Sequence, residues 1–203
     1  MSVDGVAIAT VLSNAVSAAI LWVFLLKTDK VIRLEPKKLR IDGLCLKQIL
    51  RIGVPAGVQS AMFSIANIVI QGAINSLGTV VMAASSAAYN IEVITYDILN
   101  SFSQACTTFV GQNFGAGEIK RCKKTLLLCL LEGIISLGVA IALILFFGKS
   151  LLTIFNGDPQ VVETGYIRLM LIMPSHLFSL CYEVLSGYLR GFEISLPPAV
   201  LTM

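Results

Sequence analysis

Four carboxylates interrupt stretches of sequence that are otherwise almost wholly apolar: Glu92, Asp97, Glu132 and Glu183. A charge at the centre of a bilayer costs at least about 2.5–3.5 kcal/mol, so an acid retained there has a task or a partner. The chemistry open to it is exchange, in which a carboxyl held away from water trades its proton for a cation. Glu92 is the deepest of the four, roughly 18 Å past Val80 in a hydrocarbon core of about 30 Å. Asp97 and Glu183 lie nearer one face, and Glu132 sits about two turns inside it. Glu92, Glu183 and Asp97 are the cation-coupling candidates, with Glu92 foremost. His176, the single histidine, lies on the helical face of Glu183. A His–Glu pair relays protons; a histidine satisfied by one neighbour is the plainer alternative.

Uncharged polar residues recur beside these acids at helical spacing. Ser60, Ser64, Asn67, Gln71 and Asn75 step by three or four, as do His176, Ser179, Glu183, Ser186 and Arg190. Thr10, Ser13, Asn14 and Ser17 form a shorter set. Between them runs a segment polar on two lines: Ser86, Asn90, Asp97, Gln104 and Thr108 on one, Ser85, Tyr89, Glu92, Tyr96, Ser103 and Thr107 on the other. An uncompensated polar group in hydrocarbon costs several kcal/mol, so such stripes face other helices or a wet cavity. Interhelical hydrogen bonds account for Ser and Thr alone. Asn, Gln and carboxylates together on several helices favour a cavity, with Asn67, Gln71, Ser64, Asn90, Tyr96, His176 and Ser179 as its expected lining.

Enzyme chemistry finds no footing. Gly111-Gln112-Asn113-Phe114-Gly115-Ala116-Gly117 is glycine-rich but runs into Glu118 and lacks the Lys-Ser/Thr of a phosphate loop. No HExxH, GxSxG or paired metal-ligand spacing occurs, and the five cysteines form no CxxC pair. Cys45 and Cys122 adjoin basic clusters and the other three lie in apolar runs, so disulfides are not expected. The expectation is no catalytic residue, no metal and no cofactor. GxxxG spacing at Gly53/Gly57, Gly111/Gly115 and Gly187/Gly191 signals close helix packing.

The elements that must carry these residues are membrane helices. Only 13% of the residues are charged, about half of what a soluble domain needs to cover its surface. Gly5 to Leu26 has no charge and gives a first span. Ile52 to Ile91 is also uncharged and as one helix would reach roughly 60 Å, so it must double back, with a turn at Asn75-Ser76-Leu77-Gly78. The second span then covers about 50–76 and the third about 80–112. Thr125 to Gly148 is the fourth. Asn156-Gly157-Asp158-Pro159 predicts a helix start with Asp158 as cap and Pro159 in the first turn, leading to a fifth span over about 163–189. A sixth begins at Leu196, and the sequence ends before it can cross, the mark of a partial chain. The fold class is therefore all-α, a polytopic transmembrane helix bundle.

Lysines and arginines orient it. Eight lie from Lys27 to Arg51, four from Lys120 to Lys124, and Arg190 follows the fifth span. Alternating spans put these on one side and leave Lys149 and Arg168 on the other. The rich side is cytoplasmic by the positive-inside rule. Because the basic groups flank apolar spans, a nucleic-acid partner is not expected. The basic stretch from Thr28 to Gln48, with Pro36 in it, reads as an interfacial linker, helical in part; a disordered tether is the alternative.

Four motifs in order resemble one family. Val110-Gly111-Gln112-Asn113-Phe114-Gly115-Ala116-Gly117 with Lys120-Arg121 is similar to the turn after the second helix of each half in multidrug and toxic compound extrusion (MATE) transporters; its marks here are Gly111, Gln112 and Gly115. Arg51-Ile52-Gly53-Val54-Pro55-Ala56-Gly57-Val58-Gln59-Ser60 resembles the opening of the seventh helix. Gly187-Tyr188-Leu189-Arg190-Gly191 with Pro197-Pro198 resembles the close of the tenth, and Val6 to Ser13 the sixth. The resemblance covers essentially the whole chain. It implies residues 1–27 as the last helix of the first six-helix half, 28–49 as a basic cytoplasmic linker, and 50–203 as four helices of the second half plus the start of a fifth.

The resemblance further implies a multi-pass protein of the cell inner membrane that exports small organic, often cationic or aromatic, compounds in exchange for Na+ or H+ by alternating access. Its partners would be the lipid bilayer, the substrate and the missing first half. One branch of the family carries acids on helices seven and ten at positions occupied here by Phe63 and Ser179, which puts that branch's cation site in doubt. A flippase for lipid-linked saccharides of the same superfamily, or a non-transporting polytopic protein, are the other readings. The flippase would want a cationic cavity, which these spans do not offer.

Overall fold

The computed structural model describes residues 3–28, 33–36 and 40–201. Of the basic linker, residues 29–32 and 37–39 lie outside the described ones. Among the described residues seven helices follow one another: α1 (Val3–Lys27), α2 (Gly43–Ser76), α3 (Thr79–Gly115), α4 (Ile119–Phe155), α5 (Pro159–Ile172), α6 (Ser175–Gly191) and α7 (Leu196–Leu201). No strand occurs among the described residues. The chain divides into two compact units, Met1–Leu46 and Lys47–Met203.

In the first unit, α1 exposes apolar side chains around its whole circumference, Val6, Ile8, Val11, Leu12, Val16 and Ile20 among them. A helix apolar all round belongs in lipid or among other helices. Its Thr10 hydroxyl donates to the Val6 carbonyl, inside its own helix. The sequence placed the next span from about residue 50, whereas α2 starts at Gly43. Asp42 caps it, its Oδ1 accepting from the backbone N–H of Leu44 and Cys45 at 2.7 and 3.2 Å. The added residues of α2, 43–49, are mostly good helix formers, so the helix runs on where the apolar signal stops.

The second unit is built around α3. It packs most extensively on α6, then on α4 and α5. Leu99, Cys106 and Val110 of α3, Leu137 and Leu152 of α4, Leu169 of α5 and Leu180 and Val184 of α6 form the buried centre. The α3–α6 seam is tight because α6 offers glycines to it. A β-carbon at Gly187 would stand 2.5 Å from the Ser103 carbonyl oxygen, and one at Gly191 2.7 Å from Val110. Ser103 and Thr107 use the proximity, donating to the carbonyls of Glu183 and Gly187 at 2.7 and 3.0 Å. Of the three GxxxG pairs, only this one packs so closely; Gly53 and Gly57 have nothing near them among the described residues, and Gly111 meets the Gly191 carbonyl at ordinary contact distance.

The turns follow their sequence signals. Leu77 and Gly78, with Gly78 at φ +96°, reverse the chain between α2 and α3. Asp158 caps α5 by accepting from Gln160 N–H at 2.9 Å, with Pro159 in the first turn. The glycine-rich motif is placed differently from its expectation as a turn. Gly111, Gln112 and Gly115 belong to the last turns of α3, and the reversal is made by Ala116 to Glu118 with Gly117 at φ +78°.

Among the described residues, α1 from Gly5, α2 and α4 are long and apolar enough to cross a membrane, and α5 with α6 would make a fourth crossing. That fourth crossing is no single rod over 163–189. It breaks after Ile172 and resumes at Ser175, bent by 46°. Pro174 supplies the reason: it has no N–H to give the preceding turn, and its ring crowds the carbonyl four residues back. Ser175 donates to the Ile172 carbonyl at 2.7 Å, relieving part of the loss. α3, with 37 residues, has the length of a span, about 55 Å, without the apolar composition. Packed on three neighbours, it needs less apolar circumference.

Candidate functional site

A cavity of about 610 Å³ lies between α2, α3 and α6. Each helix contributes one face at turn spacing: Gln59, Ser60, Phe63 and Asn67 from α2; Tyr89, Glu92, Val93, Tyr96 and Asn100 from α3; His176, Ser179, Tyr182, Glu183 and Arg190 from α6. Aromatic rings, hydroxyls, amides and both signs of charge meet in one space.

The helical spacing seen in the sequence explains which residues arrive. On α3 the line containing Tyr89, Glu92 and Tyr96 turns to the cavity, while its Ser85 and Ser103 are buried. The parallel line turns outward: Ser86, Asn90, Asp97, Gln104 and Thr108 are all exposed. Asn90 therefore does not line the cavity; its amide donates to the Ser86 carbonyl at 2.9 Å. Asp97 is absent from the lining as well. On α2 the stripe divides along its length. Asn67 reaches the cavity, whereas Ser64 donates to the Ser60 carbonyl and Gln71 to Asn75 Oδ1, all on exposed surface. Tyr96, His176 and Ser179 line the cavity. Phe63 and Ser179 both face this space.

Glu92 has a partner that spacing did not reveal. Arg168 of α5 reaches it with Nε and Nη2, donating to Oε1 and Oε2 at 2.8 and 3.0 Å. The two side chains are 10% and 24% exposed, Glu92 the deeper. A bidentate guanidinium–carboxylate pair of this kind is strong and orientation-specific. His176 is held by Thr95, not by Glu183: Nδ1 and the Thr95 hydroxyl oxygen are 2.8 Å apart. The same hydroxyl lies 2.7 Å from the Glu92 carbonyl. If it donates there, the His176 Nδ1–H is the donor in the other bond. The sequence missed Arg168 as a partner because it lies 76 positions from Glu92 and local spacing links only residues on one helix. Its lone charge inside an apolar run was the one available sign.

A second cluster closes the Arg190 end. Gln59, 4% exposed and the only buried residue of α2, donates through Nε2 to the Tyr182 hydroxyl at 2.6 Å. Arg190 Nη2 donates to Gln59 Oε1 at 3.0 Å, and the Tyr182 hydroxyl donates to the Pro198 carbonyl at 3.2 Å. Arg190 Nε is buried with no hydrogen-bond partner among the described residues. Glu183 makes no hydrogen bond through its side chain and no ion pair within 4 Å among the described residues. Glu132 is exposed on α4, away from the cavity. No metal-ligand cluster occurs among the described residues.

The chain is similar to several known proteins. The curated "Probable multidrug resistance protein NorM" of Thermotoga maritima is 30% identical over the whole chain and is covered to 43% of its own length. The "Multidrug export protein MepA" of Staphylococcus haemolyticus is 20% identical over 94% of the chain, and the "FAD transporter" of Shewanella oneidensis 27% identical over 80%. The chain thus spans less than half the length of these relatives. Among solved structures, "Crystal structure of MATE in the bent conformation" superposes with a TM-score of 0.83 over 98% of the chain and 44% of its own, at 20% identity. A MOP superfamily transporter from Pyrococcus furiosus superposes with a TM-score of 0.73 over 77% of the chain and 34% of its own, at 15% identity. These likenesses fix the fold. A family model, MatE, matches residues 55–203, and the chain belongs to the MatE family of multidrug and toxic compound extrusion proteins.

Proposed function

We propose that this chain is part of a secondary active exporter that moves drugs or other toxic small organic compounds against Na+ or H+ by alternating access. The observation that carries the reading is the cavity between α2, α3 and α6. Its volume and its mixture of aromatic walls with a few convergent polar groups suit a small-molecule site. The names of the relatives, multidrug resistance and multidrug export proteins among them, support the substrate class. Because the chain spans under half of those relatives, its activity is proposed for a protein in which a second six-helix half completes it.

The outward polar line of α3 supports that need. Ser86, Asn90, Asp97, Gln104 and Thr108 are exposed here, on a helix whose neighbours have the composition of membrane spans. Lipid does not accommodate them, so this face turns toward the other half or toward water shared with it. The proposed location is the inner membrane, with the basic segments from Lys27 to Arg51 and Lys120 to Lys124 in the cytoplasm. No covalent step and no cofactor enter the cycle; the energy comes from the transported ion.

The test is efflux by the complete two-half protein in everted membrane vesicles, followed by fluorescence of a cationic dye such as ethidium. Transport should require a Na+ or proton gradient and collapse when both are dissipated. Dye movement indifferent to either gradient would overturn the antiport reading.

A further inference from the structure

We infer that Arg190, held by Gln59, is a charged seal that keeps cations from leaking between the cavity and the cytoplasm. The inference rests on the exporter reading and adds to it a barrier, without which a coupled exporter would drain its own gradient. Packing fixes the end of the cavity at which Arg190 stands. A β-carbon at its neighbour Gly191 would strike Val110, and the Cys122 thiol lies 3.7 Å from the Val110 carbonyl. Arg190 therefore sits beside the turn that carries Lys120 to Lys124, the end assigned to the cytoplasm. The floor of the cavity there is made of groups that satisfy one another. Pro55 lies inside α2 and has no N–H for the carbonyl four residues back, that of Arg51. The Ser195 hydroxyl donates to that carbonyl at 3.2 Å, and Ser195 is buried. One turn beyond Pro55, the buried Gln59 joins Tyr182 to Arg190, while Tyr182 reaches the carbonyl of the fully buried Pro198. These bonds tie α2, α6 and the start of α7 together under the cavity.

Within that floor Arg190 is charged and unmatched. Its Nη2 bonds a neutral amide, its Nε is buried with no hydrogen-bond partner, and no carboxylate lies within 4 Å of it among the described residues. Glu183, two turns back along α6, stands beyond ion-pair distance. Arg190 is also the only lysine or arginine among the residues described as lining the cavity. Arg168, by contrast, is neutralised by Glu92. A guanidinium keeps its proton in proteins, and a charge held in a membrane protein without a counter-ion is costly and calls for a function. A cation passing from the cavity toward the cytoplasm meets this charge where the dielectric is low and repulsion strong. An arginine at a constriction excludes protons and metal cations from a water pore by the same physics. Anions meet no such barrier.

The experiment uses the complete two-half protein in proteoliposomes, with influx of radiotracer Na+ and, separately, of radiotracer chloride as readouts and no substrate present. Arg190→Gln should raise Na+ influx at least about fivefold over the parent and leave chloride influx within about twofold. Arg190→Lys, which keeps a cation, should hold Na+ influx within about twofold of the parent. Gln59→Glu, which cancels the charge in place, should leak Na+ as Arg190→Gln does, and it carries the test if that variant fails to reconstitute. Two neutralised variants as tight to Na+ as the parent overturn the seal. So does a leak through Arg190→Lys equal to that through Arg190→Gln, or a parallel rise in chloride, since either marks lost packing rather than lost charge. Gradient-driven ethidium efflux in the same vesicles separates the two readings. A parent that moves dye while both neutralised variants stay tight overturns the seal alone; a parent that moves none under either gradient overturns the exporter reading and the seal with it.

Discussion

Among single residues, burial and pairing separate acids that look alike in the sequence. Glu92 and Arg168 together satisfy one another; apart, Glu92 is a buried charge and Arg168 a half-buried one. Removing one partner of such a pair costs about 3 kcal/mol or more, while replacing both with apolar groups of similar size is close to neutral. Arg168→Met alone is therefore expected to lower the thermal midpoint of the detergent-purified protein clearly, and Glu92→Leu combined with Arg168→Met to recover most of the loss. If the double variant melts no higher than the single one, the pair is not the strut that the 2.8 and 3.0 Å bonds indicate. The existence of Glu92 as an intramembrane acid was plain from composition. Its partner was not, because the two lie 76 positions apart and nothing in local spacing links them.

At the level of elements, the broken crossing of α5 and α6 positions half the cavity. The helix that carries His176, Ser179, Glu183 and Arg190 leaves Pro174 at 46° to the one before it. Pro174→Ala would restore an N–H donor and remove the ring, so the two helices should approach one straight rod. Rods of 14 and 17 residues straightened from that angle lengthen by about 4 Å end to end at 1.5 Å per residue. Spin labels at Gln160 and Leu189 should record that increase by pulsed dipolar spectroscopy. An unchanged distance would mean that packing against α3 alone sets the bend. Sequence periodicity gave a continuous span over 163–189, since a stripe keeps its phase through a modest kink. The same periodicity left two polar lines on α3 equally eligible for the cavity, and only the seam with α6 determined which one turned inward.

For the molecule as a whole, the distribution of basic residues makes a statement about sidedness that one accessible thiol can check. Cys45 is exposed, whereas Cys106, Cys122 and Cys129 are buried. With the half-buried Cys181 replaced by Ser, a membrane-impermeant maleimide should label Cys45 in everted vesicles and fail to do so in intact cells. The opposite pattern would invert the proposed topology and move the Lys120 to Lys124 turn outside. Taken by itself, the sequence determined that the chain is a set of membrane helices, roughly where they run, where Asp158 and Gly78 start or reverse them, and that polar side chains share faces. These properties depend on solvent preference and on a period of 3.6 residues, both of which are local along the chain. Tertiary structure decided how each helix is rotated about its axis and which distant side chains meet. Those outcomes depend on close packing at Gly187 and Gly191 and on a guanidinium arriving from another helix. The deepest acid thus became a structural pair and a shallower one, Glu183, was left facing the open space.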